Sequence, residues 1–401
     1  AILGPPYLAH QSIPSLMLSC QADAFSLPSD LHYLNCAYMS PLSKKVEEAG
    51  IKGVQSKRNP SLIAPEDFFE TPLAVKQLFA DLIGSSSPDQ ISLLPSVSYG
   101  VAIAANNLEA KRGQNVVLLH EQFPSNLYTW RRLADEQNLE LRTILPPYTR
   151  VERSRGWNES ILEAIDSDTL AVALPIVHWT DGTLFDLESI GSRARDFGAA
   201  LVIDGTQSIG ALPFDVARIK PDALIVASYK WLLGPYSCGL AWWGDRFAHG
   251  TPLEESWLNR LGSEDFASLV EFEPQYHKGS VRYDVGEKSN FALLPMLEAA
   301  LEQVLEWTPE GIQEYDRKLL SPWTDTIRDL GFQLEDEADR GSHLVGIRMP
   351  PGLEVATISE VMRAKKIFVS VRGDAIRISP NVYNDMNDMV AFVDALKGAV
   401  H

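Results

Sequence analysis

The feature that most constrains this chain is an alternation, between residues 70 and 245, of short apolar runs with segments of helical period. The runs fall at 91–94, 116–119, 141–145, 169–174, 200–203, 223–226 and 239–243. Helix-length stretches lie between several of them, at 97–110, 127–137, 159–165 and 187–197. Strands that alternate with helices predict βαβ units and a mostly parallel sheet. The runs are apolar at nearly every position, which requires helices on both faces of that sheet. The expected fold class is α/β. After Trp243 the alternation stops. Residues 244–290 are irregular and polar, 293–307 has helical period, and strands at 343–348, 367–371 and 375–378 precede a helix at 385–396. That second pattern predicts a smaller α+β unit. A length of 401 residues also favours two cores over one. The expected division is a large domain over 21–292 and a small C-terminal domain over 293–401, with segment 1–20 packed against the small one.

Composition removes several classes of function. The net charge of −18 opposes binding to nucleic-acid backbones and anionic membranes. No stretch approaches the ~18 consecutive apolar residues of a membrane-spanning helix. Three scattered cysteines, Cys20, Cys36 and Cys238, fit neither a disulfide framework nor a metal site. The expected compartment is the cytoplasm, and no metal is expected.

Chemistry concentrates where strands end. In an open α/β sheet, ligands lie beyond the carboxyl ends of strands. The run 200–203 ends in Asp204, followed by Gly205, Thr206 and Gln207. The run 223–226 continues through Ala227, Ser228 and Tyr229 to Lys230. A buried amine beside a buried carboxylate is what pyridoxal 5′-phosphate (PLP) needs. The amine forms a Schiff base, and burial lowers its pKa enough for it to act as nucleophile and proton carrier. The carboxylate keeps the pyridine nitrogen protonated, so the ring can accept electrons from a substrate carbanion. The cofactor phosphate needs a cradle, and Ser96, Val97, Ser98 and Tyr99 open a helix directly after the run 91–94. Amides and hydroxyls at a helix start bind phosphate, with Ser98 the favoured hydroxyl and Val97 and Tyr99 as amide donors. Singly, each signal is an ordinary boundary residue or helix cap; in this order they point to one cofactor.

With these residues in place, the chain resembles the class V aminotransferase family of fold-type I PLP-dependent enzymes, a group that includes cysteine desulfurases, kynureninases and isopenicillin N epimerase-like proteins. The resemblance runs from Leu34-Asn35 to Tyr383-Asn384 and is strongest over 96–243. It implies a large domain with a mostly parallel sheet flanked by helices, plus a smaller α+β domain. It implies Lys230 and Asp204 as catalytic residues, Gln207 on the cofactor's phenolic oxygen, and Ser98 on its phosphate. Tyr229 and, less directly, Ser228 are further cofactor candidates. Phe123 falls where the family stacks an aromatic ring on the cofactor; a core Phe at a loop–helix junction is the competing reading. Trp179, preceded by His178, stands where the family often has an Asn.

Near the C-terminus, Arg377 and the Tyr383-Asn384 pair look like the family's segment that clamps the substrate α-carboxylate through a bidentate fork, and Arg372 is a second candidate. Residues 282–289 match a segment that reaches the neighbouring subunit's phosphate, so a homodimer with shared active sites is expected. Glu287 departs from the Thr common there, which would shift the contact to backbone amides, Lys288 or Ser289. Ala227 and Tyr229 also depart from the desulfurase pattern, and 367–377 contains no Cys. The expected substrate is a small molecule, an α-amino acid whose side chain the sequence leaves open. The expected reaction is transamination, ahead of a lyase or epimerase reaction, and ahead of a non-catalytic PLP-fold binding protein.

Overall fold

Every apolar run between 91 and 243 becomes a strand. The structure is a computed structural model that describes residues 18–149 and 152–400. Its strands are β1 (His32–Tyr33), β2 (Ile91–Leu94), β3 (Asn115–Leu119), β4 (Glu140–Ile144), β5 (Thr169–Pro175), β6 (Ala200–Asp204), β7 (Ala223–Ala227), β8 (Gly239–Trp243), β9 (Val345–Arg348), β10 (Ile367–Phe368), β11 (Ser370–Arg372) and β12 (Ala375–Ile378). Its α-helices are α1 (Lys44–Ser56), α2 (Glu70–Leu82), α3 (Val97–Asn106), α4 (Tyr128–Gln137), α5 (Arg153–Ala164), α6 (Leu187–Asp196), α7 (Val216–Ile219), α8 (Leu293–Trp307), α9 (Pro309–Leu320), α10 (Thr324–Asp329), α11 (Val355–Ala364) and α12 (Met386–Val400).

Strands β2 to β8 form one sheet in the order β2-β8-β7-β6-β5-β3-β4. The five strands from β7 to β4 in that order are parallel to one another. Strand β8 runs antiparallel to both β7 and β2. The period of two sorts side chains between the faces. Val172, Leu174, Leu201, Ile203, Leu224 and Val226 enter one core. Ala171, Ala173, Ala200, Val202, Ala223 and Ile225 enter another, with Val101 of α3 and Trp130 of α4. The second face carries small side chains, so a helix can lie close. At Gly100 of α3, a β-carbon would stand 2.7 Å from Ile225 Cγ2. That close approach seats the start of α3 over the sheet edge where the site forms.

Register explains why the chemistry converges there. Leu94 pairs with Gly239, and Gly239 pairs with Ala227. Pro175 pairs with Asp204, and Asp204 with Ile225. The carboxyl ends of β2, β5, β6 and β7 therefore share one edge.

The second unit holds the antiparallel sheet β11-β12-β9. Ile347, Ile376 and Ile378 pack there against Ile358 of α11 and Phe392 and Val393 of α12. Strand β1 pairs with β10, so residue Leu34 is also in this core. Helix α8, which the division at 293 assigns to the small domain, packs the other way. Its Leu294, Leu297, Leu301 and Val304 belong to the large core. The first α9 residues of the small core are Leu319 and Leu320, so we propose the division within α9, near 319. Of segment 1–20, residues 1–17 lie outside the described residues. Further along, Gln21 N donates to Val382 O at 2.7 Å.

Two more differences have tertiary causes. Helix α5 starts at Arg153 rather than 159, because the Arg153 amide faces both carboxylate oxygens of Glu335 at 3.3 Å. That cap comes from the other unit. The run 367–371 splits because β10 pairs with β1 while β11 pairs with β12. Among the described residues, no helix is long and apolar enough to cross a membrane.

Candidate active site

A cavity of about 290 Å³ opens at the shared strand edge. Val97, Ser98, Phe123, Trp179, Asp204, Gln207, Tyr229 and Lys230 all line it.

Lys230 leaves β7 through a tight turn. Ser228 N donates to Cys238 O at 3.1 Å, and Gly234 N to Ser228 O at 2.9 Å. The lysine is buried, with Nζ 5.3 Å from the Phe123 ring centroid and 5.5 Å from that of Tyr229. Burial lowers its pKa to about 8; Asp204 opposes the shift, while Arg377 and Arg372 add to it. An amine near 8 is neutral in a useful fraction of molecules at neutral pH.

Asp204 is buried, and burial raises its pKa against the opposing pull of Thr206. Thr206 N donates to Asp204 Oδ1 at 3.0 Å, and Ala227 N donates to Thr206 Oγ1 at 3.2 Å. One threonine thus ties the ends of β6 and β7 together. Among the described residues, Asp204 forms no ion pair. A buried carboxylate without a cation is costly, and a protonated ring nitrogen would supply one.

At the other end of the cavity, Ser96 caps α3 by accepting from Tyr99 N at 3.3 Å. Ser96 Oγ lies 3.0 Å from Ser98 Oγ. The amides of Val97 and Ser98 are in the first helical turn, where no intrahelical acceptor exists. Two hydroxyls and two such amides form an anion cradle. Gln207 Nε2 donates to Ala37 O at 3.1 Å, while its Oε1 accepts from Trp231 Nε1 at 3.1 Å. One amide proton of Gln207 is left for the cavity.

Arg377 stands behind the cavity wall. It is almost fully buried, and burial lowers its pKa to about 9, with Arg372 adding to the shift. Nη1 donates to Trp179 O at 2.8 Å and Nη2 to Ser370 Oγ at 3.3 Å; Nε has no hydrogen-bond partner. Arg372 lies over the Trp179 ring, Cζ to centroid 5.4 Å.

Four predicted residues do not line the cavity: Arg372 and Arg377, just described, and His178 and Ser228. His178 is buried behind it, with Nδ1 2.7 Å from Thr180 Oγ1 and Nε2 3.3 Å from His120 O. Facing a carbonyl, Nε2 must carry the proton, and burial lowers the ring's pKa. Its role is to hold the turn that presents Trp179. Ser228 is also buried away from the cavity, its hydroxyl between Pro235 O (2.5 Å) and Cys238 O (3.0 Å). It staples the Lys230 turn. In the 282–289 segment, two of the three expected contacts are turned inward. Lys288 is buried and donates to Asp284 Oδ2 at 2.9 Å and Asn259 Oδ1 at 3.0 Å. Ser289 donates to Phe68 O. Both are engaged inside the chain, and the Gly286 amide donates to Glu254 Oε1 at 2.9 Å, which leaves Arg282 and the exposed Glu287.

Sequence reasoning missed Thr206, Ser237 and Gln122 as cavity residues. Thr206 had a signal: an Asp side chain commonly accepts the amide two residues on. Ser237 takes a left-handed φ of 65°, which no local sequence cue marks.

The family model described as aminotransferase class-V matches residues 66–392. The chain belongs to the class V aminotransferase family. An uncharacterized aminotransferase of Bacillus subtilis, YcbU, is 25% identical over 321 residues, covering 79% of this chain and 81% of the relative. The isopenicillin N epimerase of Streptomyces clavuligerus is 25% identical over 352 residues, covering 83% and 86%. The apo structure of a cysteine desulfurase from Thermococcus onnurineus superimposes with a TM-score of 0.81 at 19% identity, over 98% of this chain and 99% of that one. At that identity the likeness shows the fold, fold-type I. Members of the class V family are PLP-dependent enzymes, and PLP is the cofactor here. The residues present fit it: a buried carboxylate with no ion-pair partner among the described residues, a buried amine of lowered pKa and an anion cradle face one cavity.

Proposed function

We propose that this class V enzyme is an aminotransferase that moves an amino group between an α-amino acid and a 2-oxo acid. The observation that carries the reading is the burial of Lys230 and Asp204 on one cavity wall, with the lysine pKa brought down to about 8. When bound, PLP supplies an electron sink for the carbanion formed at the substrate's α-carbon. Lys230 is the point of covalent attachment and afterwards the base that carries the α-proton at Nζ. Asp204 holds the ring nitrogen protonated. Val97, Ser98 and Ser96 receive the phosphate, with the Tyr229 hydroxyl as a further donor. Phe123 would cover the ring, and Gln207 would offer its remaining amide proton to the phenolic oxygen. Arg377 has a buried, unpartnered Nε and takes the α-carboxylate. Trp179 screens the site from water.

A desulfurase route through a protein persulfide needs a cysteine thiolate. Burial pushes the thiols of Cys36 and Cys238 up to about 12, and Cys238 is the one on the cavity wall. This argues for chemistry on the amino group. The second reading, an epimerase or lyase, is favoured by the relative named isopenicillin N epimerase. A homodimer is part of the proposal. Ile51, Val54, Leu62, Val270 and Phe272 are exposed apolar side chains, a pattern that suits a covered surface.

An amino-acid panel separates the reactions. Transamination converts the cofactor to its amine form and releases a 2-oxo acid, which a second 2-oxo acid reverses. Release of a fragment, or inversion at the α-carbon without the amine form, would replace it by the lyase or epimerase reading.

A further inference from the structure

The two arginines near the cavity are a pair. In the β11–β12 ladder, Ser370 is opposite Arg377 and Arg372 is opposite Ala375. Directly opposed residues share a face, as do residues two apart, so Arg372 and Arg377 leave the same side of the small sheet. Both come to rest on Trp179. Arg377 donates to its carbonyl at 2.8 Å, and Arg372 lies 5.4 Å above its ring. That ring meets Phe123 edge-on at 5.5 Å, and Phe123 is 5.3 Å from Lys230 Nζ. A chain of ring contacts thus links Lys230 through Phe123 and Trp179 to Arg372.

Charge gives this placement its meaning. The chain has a net charge of −18, with carboxylates to spare. Yet among the described residues neither guanidinium forms an ion pair. Among the described residues, the only side-chain hydrogen bond of Arg372 goes to the carbonyl of its neighbour Val371, at 2.8 Å. Two adjacent cations repel each other. Holding both without an acid costs folding energy that an anionic ligand would return. The α-carboxylate answers one of them, Arg377. The second is left over.

We propose that Arg372 selects a distal carboxylate, so that the substrate is an acidic α-amino acid of the aspartate and glutamate class, or the matching 2-oxo diacid. This rests on the reading of Arg377 as the α-carboxylate clamp and of Lys230 as the reaction centre. A fork of N–H donors on a carboxylate, partly shielded from water by Trp179, strongly separates an acid from its uncharged amide.

The test compares glutamate with glutamine and aspartate with asparagine, by calorimetric titration of the PLP-loaded enzyme. Shape is conserved within each pair and only the distal charge changes. The expected result is that the acid binds about 10- to 100-fold more tightly than its amide, the range for a charge-assisted hydrogen-bond pair. Arg372→Gln is expected to bring that ratio to within about twofold of one, and Arg372→Lys to leave an intermediate ratio because charge survives without the fork. If Arg372→Gln does not fold, the wild-type ratio and Arg372→Lys decide. A wild-type ratio near one, a preference for aromatic amino acids over acidic ones, or a preference that survives both variants overturns the proposal. Failure of the underlying reading looks different: the protein would then carry no covalently bound PLP at Lys230.

Discussion

The two walls of the proposed site are built in different ways. The cofactor wall is made by the ends of neighbouring strands in one sheet. Asp204 is the last residue of β6, and Lys230 follows three residues after β7. The bonds that position them are local, such as Thr206 N to Asp204 and Ala227 N to Thr206. The substrate wall we propose lies behind the cavity lining, where two units meet. Arg377 of β12 reaches Trp179 at the end of the large sheet, and Arg348 of β9 reaches Asp181 at 2.5 Å. The first wall is fixed by sheet register, and the second depends on how the units pack. Changes to the first should therefore remove the cofactor or the chemistry. Changes to the second should spare the bound cofactor and weaken the substrate.

The largest expected effect is at Lys230. Lys230→Ala should abolish covalent PLP and lower turnover by roughly 10³-fold or more, as for loss of a positioned proton carrier. A coloured, active variant would break the comparison at its root. Asp204→Asn should come next. It removes the charge that stabilises the ring nitrogen, with kcat falling about 10²- to 10³-fold, while Lys230 still captures the cofactor. Arg377→Ala should mark the boundary between the walls: KM rises about 10- to 100-fold with the cofactor spectrum unchanged. Loss of PLP in that variant would show the walls to be one structure. Ser228→Ala is the smallest. Losing the staple on the Lys230 turn should cost about 1 kcal/mol in a denaturant titration and leave the holoenzyme spectrum intact. A large spectral change would return Ser228 to the cofactor site.

The lysine also predicts a pH profile. Its pKa in the folded, cofactor-free chain, about 8, lies below the ordinary 10.5. The amine is charged below about 8 and neutral above it. PLP capture should speed up by about tenfold per pH unit below that point and level off above it. An ordinary amine would keep accelerating towards pH 10. The sign for stability follows. Between about 8 and 10.5 the unfolded chain binds more protons than the folded one, so stability rises with pH across that window.

The same division governs what the sequence made legible. The strands of the large sheet were readable because both faces are buried, which forces near-continuous apolar runs. Asp204 and Lys230 were readable because each closes such a run. His178 and Ser228 were misplaced because adjacency in sequence does not say which way a side chain turns; each turns back to satisfy carbonyls. Helix α8 was placed with the small unit, although it packs on the large core, because an apolar helical face does not name its partner. The start of α5 was hidden because Glu335, which caps it, is almost two hundred residues away. The pairing of Arg372 with Arg377 was also beyond local reading, because it needs the β11–β12 register and the position of Trp179.

The central claim is that Lys230 carries the cofactor. Borohydride reduction of the PLP-loaded protein, followed by proteolysis and mass mapping, tests it directly. The account predicts a reduced pyridoxyl group on the peptide containing Lys230 and on no other lysine. A label on Lys76, Lys288 or any other amine, or a protein that takes up no PLP, would contradict it.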